Sequence, residues 1–95
     1  MNPKVVVTTK HRGVFFGELI ERNRTEHGTE VVLADARVCI YWTQETCGFV
    51  GLAATGPLDG CRISRAAPRL EVLDVTSILT CSEEAIAVWE ASKWN

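Results

Sequence analysis

From Gly60 to Arg69 the chain reads Gly-Cys-Arg-Ile-Ser-Arg-Ala-Ala-Pro-Arg, with guanidinium groups at Arg62, Arg65 and Arg69, a hydroxyl at Ser64 and no acid. The planar fork of an arginine matches the oxygens of a phosphate, so a cluster of this kind is suited to a compact anion. Arg62 and Arg65 would pair with phosphate oxygens, Ser64 would add a hydrogen bond, and Gly56 and Gly60 would let the backbone come close. A second wall is available on the run Arg37-Val38-Cys39-Ile40-Tyr41-Trp42. As a strand it places Arg37, Cys39 and Tyr41 on one face, and Tyr41 or Trp42 offers a ring for a base to stack on. The competing roles are ordinary ones: loop arginines pair with surface carboxylates, and Trp42 fills the core.

Charge narrows the partner. Up to Arg69 there are nine Lys/Arg against seven Asp/Glu, and beyond it one against five, within a net charge of −2. A protein that coats DNA or RNA carries a broad basic excess, so a nucleic acid is not the expected partner and a small nucleotide is. The acidic C-terminal part, with Glu71, Asp74, Glu83, Glu84 and Glu90, supports an alternative, a protein inhibitor that presents a carboxylate face to a basic host surface. Glu83 and Glu84 also suit the first turn of a helix, where the dipole favours acids.

Catalysis finds less support. The chain has no G-x-S-x-G, H-E-x-x-H or P-loop motif. His11 and His27 fall in turn and loop segments, away from any local acid and nucleophile pairing. Cys39, Cys47, Cys61 and Cys81 show no C-x-x-C spacing and read as reduced thiols without a metal. The expectation is a non-enzyme without cofactor or metal. No apolar run nears the roughly 20 residues that span a bilayer, so a cytoplasmic setting without membrane contact is expected.

The elements that must position these groups are mostly strands. Val5–Thr9 is rich in β-branched residues and stops at a polar turn. Val14–Glu21 alternates incompletely, as in a strand covered on both sides. Asn23–Gly28 reads as a hairpin loop, Glu30–Leu33 as a third strand, Ala34-Asp35 as a tight turn and Arg37–Trp42 as a fourth strand. Gly48–Thr55 fits a short helix ended by Gly56-Pro57. Leu70–Leu73 and Val75–Leu79 read as two strands divided by Asp74. Thr80-Cys81-Ser82-Glu83 has the spacing of a capping box before a last helix, with Ala85, Val88 and Trp89 on one side. The predicted fold is mainly β (α+β): one domain with a small, strongly bent antiparallel sheet or Sm/SH3-like barrel, a short inserted helix and a C-terminal helix. The run from Gly13 to Glu21, a hairpin and Val31–Ala36 resembles the strand order of Sm-like barrels.

Arg12–Gly17, Ala36-Arg37, Tyr41-Trp42, Leu52-Ala53, Gly56-Pro57, Arg62–Ser64, Asp74-Val75 and Cys81–Ala85 together resemble a family of short, uncharacterised phage and prophage proteins. That resemblance implies a phage origin and a host-cytoplasm setting, and supplies no catalytic residues. By analogy with phage anti-defence proteins, the expected function is a homo-oligomeric sponge that sequesters a phosphate-bearing nucleotide immune signal. Inhibition of a host defence complex, such as a CRISPR effector, is the alternative.

Overall fold

The computed structural model describes residues 2–10, 13–26, 28–44, 48–57 and 60–92. His11, Arg12, His27 and Cys47 therefore lie outside the described residues. Five strands and two helices follow in the order β1 (Lys4–Thr9), β2 (Val14–Thr25), β3 (Gly28–Tyr41), α1 (Gly48–Ala54), β4 (Arg62–Ile63), β5 (Ala67–Thr80) and α2 (Glu83–Ala91). The expected bent antiparallel sheet with two helices is what forms.

Every pairing is antiparallel. Strand β1 lies between β2 and β5, β5 also pairs with β3, and β3 returns to β2, so these four strands close a circuit. Four strands can close in this way only by bending, and bulges supply the bend. Two predicted breaks are such bends. Asp35, at φ 50, is not a turn between two strands but an extra residue inside β3: Phe16 pairs with Arg37 and Glu18 with Ala34, leaving Asp35 and Ala36 opposite Gly17. Asp74, at φ 56, likewise kinks a continuous β5, which pairs with β3 from Ala67 to Val75 and with β1 from Val75 to Thr80. Asp is among the non-glycine residues that adopt this left-handed backbone most readily. Strand β2 also runs past its predicted end, to Thr25.

Two apolar clusters lie on the two faces of the sheet. Val5, Val7, Val31, Leu33, Ala36 and Val72 fill the inner one. Val6, Val14, Phe16, Cys39, Leu52, Ala53, Ile63, Cys81, Ala85 and Trp89 pack the outer one, between sheet and helices. Alternation along β1 sends Val5 and Val7 inward and Val6 outward, which is why this strand is apolar throughout.

Helix α2 is set by its cap and its tryptophan. The N-cap is Ser82, not Thr80: its Oγ accepts from Ala85 N at 3.0 Å and donates to the Ala54 carbonyl at 2.6 Å, tying the start of α2 to the end of α1. Thr80 instead ends β5. Trp89 is fully buried, stacks on Phe16 with ring centres 4.8 Å apart, and donates Nε1–H to the Leu52 carbonyl at 2.9 Å. A buried indole with its one donor satisfied contributes both area and direction. Trp89→Ala is expected to lower unfolding free energy in urea by about 3–5 kcal/mol. Trp89→Phe, which leaves the Leu52 carbonyl without its donor, should cost about 1–3 kcal/mol.

Candidate functional site

The bulges decide which charged side chains reach the inner face. Along β2, Leu19 pairs with Leu33, but the next paired residue is Glu21, opposite Val32, so Ile20 is the extra residue. Simple alternation from Leu19 would bring Glu21 and Asn23 inward. With Ile20 inserted the parity changes, and Arg22 and Arg24 lie opposite Val31 and Thr29, on the side of Leu19, Leu33 and Val31.

There the two arginines border a cavity of about 380 Å³. Its floor includes Val5, Leu19, Val75 and Ile78, and Thr29, Thr76, Ser77 and Thr80 add hydroxyl-bearing residues to its wall. Among the described residues its lining holds two guanidinium groups and no carboxylate. Neither the Arg22 nor the Arg24 side chain forms an ion pair or hydrogen bond among the described residues. By register, Thr29 lies opposite Arg24 and Thr80 opposite Val5. The arrangement offers paired cations at the rim and apolar surface below, which suits a phosphate-bearing ligand with a less polar body.

The residues singled out in the sequence take other positions. Arg37 is buried, 7% exposed, and serves as an internal tie: Nε donates to the Ser64 carbonyl at 2.9 Å and Nη1 to the Trp89 carbonyl. Burial lowers its pKa from the ordinary arginine value by stripping solvent from the charge. Ser64 Oγ accepts from Val38 N at 2.8 Å and donates to the Arg65 carbonyl, so Ser64 anchors β4 to β3. Arg62 lies opposite Tyr41 across that short pairing, and both are exposed. Arg65 is exposed as well. Arg62 and Arg65 line neither the Arg22/Arg24 cavity nor the one beside Lys4. Trp42 is half-buried against the outer cluster. Gly60, at φ 97, is required where a Cβ would meet Thr43 at 2.8 Å, and Gly56, at φ 82, where one would meet Val88 at 2.8 Å. Both close approaches are to the protein itself. The cluster thus joins Arg37 to Ser64 and Tyr41 to Arg62, without bringing Arg62, Ser64 and Arg37 around one cavity.

The acidic residues are likewise dispersed. Glu90 pairs with Lys4, Glu71 pairs with Arg69 at 3.3 Å, and Glu83 and Glu84 occupy the first turn of α2.

A family model described as a domain of unknown function, DUF6948, matches residues 2–89. The chain belongs to that family. No curated protein and no solved structure matches it. Family membership supplies no catalytic residue, which leaves the thiols to be judged on their surroundings. Cys39 is pushed up to about 12, by burial first and then by Cys61, against a lowering contribution from its hydrogen bond to the Tyr41 carbonyl. Cys81 is pushed up to about 11 by burial. Both are thiols at neutral pH, and a thiol is a poor nucleophile. No described helix is long and apolar enough to cross a membrane.

Raised thiol pKa values set a pH dependence. Below the ordinary thiol value of 9.0 both states hold the proton, and the contribution to stability is intact. Between that value and about 11 for Cys81 the unfolded chain gives up protons that the folded chain keeps, so stability falls as pH rises. Urea unfolding measured across this window should decline with pH, less steeply in Cys81→Ala than in the parent. Equal slopes would contradict the assigned cause.

Proposed function

We propose that this chain is a non-catalytic binding protein that captures a small phosphate-bearing nucleotide in the cavity bordered by Arg22 and Arg24. The carrying observation is the pair of arginines without carboxylate partners among the described residues, set at the rim of the 380 Å³ cavity beside hydroxyl-bearing residues. Phosphate oxygens would take the guanidinium N–H groups, and the sugar or base would cover Leu19 and Ile78. A host-derived nucleotide signal, withdrawn by a phage-encoded protein in the cytoplasm, is the ligand this reading anticipates. The cavity is open on one side, and a second copy of the chain would complete the enclosure that a sponge needs. This reading keeps the ligand class expected from the arginine-rich stretch and moves the site to β2. An inhibitor acting through the acidic residues has less support, because Glu71 and Glu90 already hold partners.

Calorimetry with pyrophosphate, ADP-ribose derivatives, cyclic dinucleotides and cyclic trinucleotides tests it directly. At least one is expected to bind, with affinity falling as salt rises. Arg22→Ala and Arg24→Ala should each weaken binding by about tenfold or more, as loss of a charge-assisted hydrogen bond implies. Arg62→Ala should leave binding within about twofold, a few tenths of a kcal/mol. Absence of heat with every compound, or loss of binding in Arg62→Ala alone, would overturn the assignment.

A further inference from the structure

On the outer face of the sheet, by Glu90 of α2, a second cavity of about 230 Å³ is bordered by Lys4, Phe16, Glu18, Asp35, Arg37 and Glu90. Its chemistry is unlike that of the first. Arg37 contributes a guanidinium that is 7% exposed and bonded only to the carbonyls of Ser64 and Trp89, with no carboxylate on it. Those bonds use Nε and Nη1. The remaining terminal nitrogen, Nη2, has no hydrogen-bond partner among the described residues, and Arg37 is one of the residues that border the cavity. A guanidinium N–H without a protein acceptor is open to a charge-assisted bond with an anionic group.

Acceptors and carboxylates complete the lining in an uneven way. Glu90 is already paired with Lys4, and Glu18 accepts only a 3.3 Å bond from the Asn2 amide. The side chain of Asp35, delivered to this edge by the bulge in β3, forms no hydrogen bond or close ion pair among the described residues, and its charge, like that of Glu18, acts on Lys4 at longer range. A simple anion at Arg37 would sit among three carboxylates. A simple cation at Asp35 would face Lys4 and Arg37. One molecule carrying both charges satisfies both sides at once.

We infer that this cavity binds a small zwitterion of the α-amino-acid type, its carboxylate on Arg37 and its ammonium toward Asp35 and Glu18, with the side chain against Phe16. The volume suits a small residue, and the inference stands apart from the nucleotide reading, since it uses neither Arg22 nor Arg24. Nuclear magnetic resonance titration of the full chain with glycine, L-alanine, acetate and methylammonium tests it. Glycine or alanine is expected to give saturable shifts at the amides of Ala34, Asp35 and Arg37. Acetate and methylammonium, each satisfying one wall only, should require about tenfold higher concentration for the same shift.

Arg37→Lys disturbs the tie to α2, so Asp35→Asn is the more useful variant. Asn also accepts the left-handed backbone, and the variant should keep its thermal unfolding midpoint while losing about tenfold in alanine affinity. No saturable shift up to about 10 mM amino acid, equal response to acetate or methylammonium, or unchanged affinity in Asp35→Asn would each overturn the inference.

Discussion

Closing β1, β2, β3 and β5 into a circuit forces each long strand to bend, and every bend in this chain is made by an added residue. An added residue also reverses which side chains face in. Ile20 carries Arg22 and Arg24 to the inner side. Asp35 lets Leu33 and Ala36 both stay in the inner cluster while Ala34 and Arg37 border the cavity on the outer face. The same geometry that closes the sheet therefore distributes its cations between two separate cavities.

The outer face depends on Arg37 and Trp89 acting together. Trp89 fills the space between sheet and helices, and its carbonyl, near the end of α2, accepts from the Arg37 guanidinium. The carbonyl end of a helix is the favourable place for a cation, which eases the burial of a charge without a carboxylate. Arg37 thus fixes the end of α2 and reaches β4 through Ser64 in a single side chain. Phe16, stacked on Trp89, forms a wall of the cavity beside Arg37, so helix docking and cavity shape are one structural fact.

Composition and periodicity were enough to read the class of fold, the two helices and the apolar β1. Trp89 could be recognised as a core anchor from its spacing with Ala85. What spacing could not reveal was parity. Counting by twos from Leu19 puts Arg22 on the wrong face, and the extra residue at Ile20 has no sequence mark, being neither glycine nor proline. Asp35 and Asp74 do carry a mark, since aspartate is common at turns, but the same signal announces a turn or a bulge. The arginine-rich stretch drew attention because its charges are adjacent in sequence. Arg22 and Arg24 are separated by one residue and become a pair only because strands alternate. Arg37 and Ser64 meet through a hydrogen bond from guanidinium to carbonyl, a use of both groups that residue type alone does not announce.

The account rests on Arg22 and Arg24 bordering the same open cavity as Leu19 and Ile78. Site-resolved amide shifts during titration with pyrophosphate measure that most directly. The predicted result is a set of saturable shifts confined to residues 19–24, 29 and 75–80. Shifts centred on residues 60–65 with residues 19–24 unmoved would contradict it.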